Sequence, residues 1–347
     1  MPSDLPLGDE ALVALDVGTT GARAAVFDLQ GHRWIEVRRA YPTFLPQPGW
    51  AEQDARAWRV AALSALRGAV TLVGPHRRLL ALGLTGQCPS IVGLDRRDRP
   101  VGPGLTYRDN RAVAEAAWLI SRFGAEELHL RTGHLSAAFH IAPKLLWLRA
   151  HRRAEFEATQ TWLQPRDLAA FVLTGERATE GSHAPATLLY DLRAGRWDPE
   201  LLEAVGVDEG HLPRLGRSAE VVGTVRPTLA AHLGLRHPLP VVLGGADSQT
   251  CALGAGVVGP GPVSEMAGSS TCLNSAVAEP LTTLAITHYR HVVGHGYTTE
   301  TGLNTSGAAV AWAAVAGHHM WYAMAGWTEA CDGHTRAEGR GGQVPHG

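Results

Sequence analysis

The sequence predicts an α/β protein of two domains, and three observations carry that expectation. Its 347 residues, 45% of them hydrophobic, suffice for two cores. Apolar runs of strand length bounded by glycine and proline are interspersed with stretches of helical period. Two of the strand runs pass through a turn of small residues and leave again as strands. One is centred on Gly18-Thr19-Thr20-Gly21, the other on Gly268-Ser269-Ser270-Thr271.

Composition removes several classes of function. The net charge of -2 argues against a general nucleic-acid binder. Lys144 is the only lysine, and it lies in Ala-Pro-Lys-Leu, so no Gly-Lys-Ser/Thr phosphate loop exists. Cys88, Cys251, Cys272 and Cys331 form neither a CxxC pair nor a regular framework, which points to a reduced, cytoplasmic setting. Residues 1–10 are acidic and proline-punctuated, unlike a signal peptide. The longest apolar stretch, after Gly307, is too short to span a membrane.

The elements follow in order. Leu12 to Val17 reads as a buried strand interrupted by one carboxylate, Asp16, and Ala24 to Phe27 as its partner. The tight turn between them can present backbone N–H groups and hydroxyls to an anion, and Asp16 can hold magnesium through water. Taken alone, the pattern fits equally well an ordinary hairpin whose aspartate makes a turn. Arg33 to Arg39 is a third strand of the meander. Asp54 is placed to N-cap a helix from Ala55 to Arg67. Leu79 to Leu84 is a buried strand, and Ile91 to Leu94 is expected as its hairpin partner. A helix begins near Ala112, and Thr132 to Thr187 is expected to be mostly helical, with Pro143 in one first turn and Gly175 ending another helix.

Val221 to Val225 and Pro240 to Leu243 are short strands, the second running into Gly244-Gly245-Ala246-Asp247 and a helix from Ser248 to Leu253. Gly254 to Gly259 fits the dinucleotide fingerprint in letters only, since it follows a helix and precedes prolines. Strands at Pro262–Met266 and Cys272–Val277 flank the second small-residue turn. Two such turns facing each other would clamp a polyphosphate from both sides. His288, His291 and His295 alternate in a strand-like segment without a cysteine or carboxylate, which favours a structural role over metal binding. Asn304 to Val315 is a small-residue helix start. The last stretch lacks periodicity and is expected to be disordered.

These motifs, in this order, resemble the FGGY family of carbohydrate kinases. The resemblance rests on Leu15 to Thr20 with Arg23, Gly49 to Asp54, Gly86-Gln87, Asp109 with Arg111, and Pro143 to Leu148. It continues through Leu173 to Glu176, Gly244 to Asp247, Gly268 to Ser270 and Gly307, and covers about 11–317. It implies an actin-like ATPase (ribonuclease-H-like) fold: an N-terminal sugar-kinase domain over 11–246 and a partial C-terminal domain over 247–317. Residues 1–10 would be an extension and 318–347 an atypical tail. The family's second domain normally continues to a glycine-rich adenine motif that this sequence does not contain.

The resemblance implies ATP and Mg2+ as cofactors and a small-molecule sugar as acceptor, with no nucleic-acid or membrane partner, and it allows a homodimer. Asp16 would serve the metal. Gly18, Thr19, Thr20, Arg23, Gly268, Ser269, Ser270 and Gly307 would bind the nucleotide. Asp247 would be the base that takes the proton of the attacking hydroxyl, a role compatible with capping the following helix. Gln87, Cys88, Tyr107 and Asp109 are pocket candidates, each equally consistent with a structural role. Xylulokinases carry Gln-Met-His-Gly where this chain has Gln87-Cys88-Pro89-Ser90, and glycerol kinases would have Arg-Glu at Cys88-Pro89, which argues against glycerol. A ketopentose or related polyol is the expected acceptor. The alternatives are a non-catalytic remnant that binds sugar but holds ATP poorly and, less favoured by the motifs at Gly49 and Gly86, an actin- or chaperone-like ATPase.

Overall fold

The computed structural model describes residues 10–267 and 271–303. The turn residues Gly268, Ser269 and Ser270, the helix start at Gly307 and the 318–347 tail therefore lie outside the described residues. The chain divides into two compact units, Met1–Ser264 with Asn274–Thr301, and Glu265–Leu273 with Gly302–Gly347. In the second unit only the strand ends at 265–267, 271–273 and 302–303 are described.

The first unit is built on a six-stranded sheet. A meander of β1 (Glu10–Val17), β2 (Gly21–Phe27) and β3 (Arg33–Ala40) forms one half. The strand Arg78–Gly86 adds to the free side of β1 in parallel, Pro240–Ala246 adds in parallel to that strand, and Val221–Thr224 closes the far edge antiparallel. Along β1 the buried residues alternate: Ala11, Val13, Leu15 and Val17 enter the core, which leaves Asp16 on the opposite face at the strand end.

Helix α1 (Ala55–Val73) covers this sheet. Asp54 is its N-cap, accepting a 2.8 Å bond from Arg56 N, as its position before the apolar-periodic run predicts. Its buried face is mostly alanine, with Trp58, Leu66 and Val73, which lets the helix axis approach the sheet closely. The helix Pro165–Thr174 joins the same core and stops at Gly175, whose φ of 94° is the left-handed cap that glycine adopts without strain.

A second core lies among the helices Val113–Phe123, Ala125–Thr132, Ile141–His151 and Pro199–Val205, around Leu119, Leu128, Ile141, Leu145 and Leu201. One expectation is corrected in this part of the chain, and another gains detail. Val92–Leu94 pairs not with the preceding strand but with Thr161–Leu163, some seventy residues on, so the apparent hairpin is a long-range pairing. The stretch from Thr132 to Thr187 includes two strands, Thr161–Leu163 and Ala178–Glu180, besides its helices. Each is three residues long and buried throughout, so neither shows the alternation that would betray a strand.

Of the three histidines read as one alternating strand, only His288 is in the strand Thr287–Arg290. Its Nε2 accepts from Leu281 N at 2.9 Å, and His291 takes bonds to Val257 O and Val293 N, so both are tied to the main chain. Among the described residues no group of three histidine, cysteine or carboxylate side chains is placed to hold a metal.

His288 instead belongs to a buried histidine cluster. Its ring meets that of His129 edge-on at 5.4 Å, and His134 meets His140 at 5.3 Å and Tyr289 at 4.8 Å. Burial holds all four histidines neutral, with His140 pushed down to about 3 and His288 to about 4. Such residues bind a proton more readily in the unfolded chain, near pH 6.5, than in the fold. Stability should therefore be full above pH 6.5 and be lost as pH falls toward 4, with a slope up to ~1.4 kcal/mol per pH unit for each histidine. Urea melts between pH 7 and 4.5 check this. His134→Phe should flatten the slope, and an unchanged slope would show that other groups drive acid unfolding.

Candidate active site

Three strand ends meet at the site. In the sheet register Asp16 lies opposite Thr85, and Thr85 lies opposite Gly245, so the three form one row across β1, Arg78–Gly86 and Pro240–Ala246. At ~4.8 Å per strand, that row spans about 10 Å. Asp247 follows two residues beyond its end, as the first residue of the helix Asp247–Gly254.

The β1–β2 turn forms as the sequence predicts. Gly18 N donates to Gly21 O at 3.1 Å, and Asp16 lies directly across from Arg23. The turn is fixed from outside by Tyr41 OH, which donates to Gly18 O, and by Gln53 Nε2, which donates to Thr19 O at 2.7 Å. Gly21 has no room for a side chain: a Cβ there would lie 2.5 Å from Arg39 O. Thr20 and Arg23 are exposed beside the turn, with Thr19 partly so.

A different constraint brings Asp247 to this row. Gly244 has φ +70°, and a Cβ on it would fall 1.7 Å from Leu84 O. Only glycine lets the chain turn this tightly against its neighbour. On either side of the glycine pair, a buried polar clasp holds the main chain. Arg166 Nη1 donates to Leu243 O at 2.8 Å, and Ala246 N donates to Ser182 Oγ at 2.9 Å. Glu180 joins the two halves: it accepts from Ser182 N and Oγ at 2.8 and 2.7 Å and from Ser218 Oγ at 2.7 Å, with Arg166 Nη2 at 3.5 Å. Arg166 also ion-pairs with Asp167 at 3.0 Å. Thr85 Oγ1 closes the arrangement, donating to Gly245 O and sharing a bond with Thr250 Oγ1 in the first turns of the helix.

The result is two carboxylates that feel each other. Burial, then the charge of Asp16, then that of Glu300, push Asp247 up to about 7, against the 2.8 Å hydrogen bond that it accepts from Ser248 N. Burial also raises Asp16, with Arg23 opposing. Oδ1 of Asp16 is buried without a hydrogen-bond partner among the described residues. An orphaned carboxylate oxygen beside a second repelling carboxylate fits a hydrated divalent cation, which needs only one or two carboxylates from protein. Asp247 is not the helix cap, since that position belongs to Ala246.

The four pocket candidates divide. Cys88 is half-buried close to Asp247, whose charge, after burial, raises its thiol well above the usual range. Tyr107 is half-exposed, its N–H donating to Ser90 Oγ at 2.9 Å. Gln87 is buried and tied up: its Nε2 donates to Gln53 and its Oε1 accepts from Ser90. Asp109 is fully buried, with both oxygens taken by Arg111 and one also by Ala51 N at 2.6 Å. Arg111 in turn stacks 3.7 Å over Trp50 and pairs with Glu52. Of the two roles open to Gln87 and Asp109, the geometry supports the structural one.

Several residues here carried no sequence signal. Glu300, in the strand Tyr297–Leu303, accepts from Gln249 Nε2 at 3.2 Å and lies close enough to Asp247 and Cys88 to raise both. Arg166, Glu180 and Ser182 are separated in sequence from the glycines that they hold. Gln53 and Glu52 belong to a recognisable motif, yet their role in bracing the turn and Arg111 needs the fold to be seen.

The chain has the actin-like, ribonuclease-H-like fold of the sugar kinases that it resembles. The chain belongs to the FGGY family of carbohydrate kinases: residues 11–254 match the N-terminal domain of that family. It is 29% identical over 248 residues to the xylulose kinase of Lactococcus lactis, covering 71% of this chain and 49% of that protein. It is 32% identical over 324 residues to the glycerol kinase of Gloeobacter violaceus, covering 87% and 61%. Among solved structures it is similar to a xylulose kinase from Rhodospirillum rubrum, with a TM-score of 0.83, 29% identity, and coverage of 87% of this chain and 62% of that one. The chain spans about half the length of the xylulose kinases that it matches.

If Gly244 fixes the approach of Asp247, Gly244→Ala must cost at least ~2 kcal/mol, combining left-handed strain with the clash at Leu84 O. Urea denaturation measures this. A loss under 0.5 kcal/mol, within the ordinary range of about ±0.5 for an indifferent site, would show that the turn is not required.

Proposed function

We propose that this chain serves ATP-dependent phosphorylation of a sugar hydroxyl, with Asp247 as the general base. The observation that carries the reading is the placement of Asp247 at the end of the row that begins with Asp16, where burial first and the Asp16 charge second raise it to about 7. A carboxylate held there can accept a proton from an alcohol at neutral pH far better than an ordinary aspartate. Phosphoryl transfer needs little else from protein besides positioning and charge neutralisation.

The β1–β2 turn supplies the positioning on one side. Thr19 and Thr20, with the main chain between Gly18 and Gly21, would contact phosphates, and Arg23 adds charge. Asp16 would hold Mg2+, which when bound neutralises phosphate charge. Ser269, Ser270, Gly268 and Gly307 are proposed to serve the nucleotide from the remaining part of the chain.

The acceptor is proposed to be a ketopentose or a related polyol. Cys88, within reach of the Asp247 charge, and Tyr107, tied to the Cys88 segment through Ser90, are both only partly buried and are the walls offered to it. The Cys88-Pro89 pair in place of Arg-Glu argues against glycerol, although glycerol kinases are also among the relatives.

A coupled ADP-release assay over a panel of ketoses and polyols tests the reading. Release should depend on sugar and on Mg2+ and should fall by ~10²–10⁴-fold in Asp247→Ala, the usual contribution of a positioned base. Sugar binding without ADP release in the native chain would favour a binding remnant. Release that is unaffected by Asp247→Ala would remove the base from the account.

A further inference from the structure

Lys144 is the only lysine in the sequence, and it is fully buried. Burial of an ammonium group is costly unless each of its three protons finds an acceptor. Here the acceptors are three main-chain carbonyls from three separate segments. Lys144 Nζ donates to Thr106 O at 2.8 Å, to Phe139 O at 2.5 Å and to Pro89 O at 3.3 Å. The first two segments meet in a short β-bridge, Ile91 N donating to Leu105 O at 2.9 Å and Leu105 N to Ile91 O at 2.8 Å, and the third is joined to neither by regular secondary structure at these residues. Pro89 follows the strand Arg78–Gly86, Thr106 follows the strand Gly104–Leu105, and Phe139 precedes the helix Ile141–His151 that carries the lysine.

Two of the three carbonyls lie next to a residue proposed for the acceptor pocket. Pro89 adjoins Cys88, which senses the charge of Asp247, and Thr106 adjoins Tyr107. Phe139 itself is only partly buried. Ser90 Oγ, which accepts from Tyr107 N, adds to the Ile91–Leu105 bridge between the first two segments, so the lysine's own contribution is to hold that pair to the third. Burial pulls the Lys144 ammonium down to about 7, Arg111 acting in the same direction and the Asp109 carboxylate against it.

We propose that Lys144 is the positioning residue of the acceptor pocket, its ammonium tying the loops that carry Cys88, Tyr107 and Phe139 into one wall at a fixed spacing. The inference rests on the acceptor-pocket reading above and adds the part that sets the pocket's shape. Lys144 touches no reacting atom. Its effect is to fix where the acceptor lies relative to Asp247.

A lysine that served only to fill the core would be replaced by methionine at the same volume with a general loss of stability. A positioning lysine has a narrower signature. Without its charge, three carbonyls lose one shared donor, and three loops should loosen together while the six-stranded sheet stays closed.

The test compares native chain, Lys144→Met and Lys144→Arg, all checked for folding by circular dichroism. Hydrogen exchange is followed in segments 87–91, 105–109 and 137–141 and in β1. Affinity is measured by calorimetry with D-xylulose and, separately, glycerol. In Lys144→Met the three segments should lose protection together with β1 unchanged, and D-xylulose affinity should fall by ~tenfold or more. Lys144→Arg, which keeps a cation, should restore part of both, and it carries the test if the methionine variant does not fold. Loss of protection in one segment only, or unchanged D-xylulose affinity in a folded Lys144→Met, overturns the proposal. Should the native chain bind neither sugar while the three segments still loosen together, the sugar reading fails and the lysine tie stands.

Discussion

The structure depends on one tight turn and the charges that hold it. Gly244 carries the end of its strand so close to Leu84 that no other residue fits, and Arg166 and Ser182 grip the main chain on either side. Glu180 connects those two grips. Removing a buried partner from such a network typically costs ~3–5 kcal/mol, because the remaining charge is left without compensation. The clasp is thus an expensive way to hold a strand end. What it accomplishes is to deliver Asp247 to the row of residues that begins with Asp16.

From that placement the chemistry follows. Two carboxylates near each other in a poorly solvated place cannot both ionise easily, so one is raised toward neutrality. The same repulsion makes the site receptive to a divalent cation. The small-residue turn beside Asp16 is braced by Tyr41, just past the end of β3, and by Gln53, just ahead of α1. On the acceptor side, Lys144 performs an analogous task for three loops. In both places the groups proposed to face a substrate are few, and most of the polar side chains around them fix the backbone.

Much of this was legible in the residues. The β1–β2 hairpin, the capped helix after Asp54 and the strand leading to Asp247 all announce themselves through local signals: alternation, capping residues, glycine at turns. The pairing of Val92–Leu94 with Thr161–Leu163 was not legible, because a three-residue buried strand looks the same whichever partner it has. The same limit applies to function. Asp16 and Asp247 stand out because each follows an apolar run and sits in a glycine-rich setting. Glu300 sits among threonines in a strand and Glu180 in a short buried one, and neither position marks a carboxylate as part of a site. For Asp109 the sequence left a sugar contact and a structural role equally open, and the fold adds that its oxygens accept from Arg111 and Ala51.

The central claim is that the fold brings the Asp16 and Asp247 carboxylates within electrostatic reach. Carbon-13 NMR of the aspartate carboxyl groups, recorded against pH in the metal-free chain and in Asp16→Asn, addresses it directly. Asp247 should titrate near 7 in the native chain, and its midpoint should move down toward the ordinary aspartate range in the variant. A midpoint that stays the same when Asp16 loses its charge would mean that the two groups do not meet, and would contradict the account.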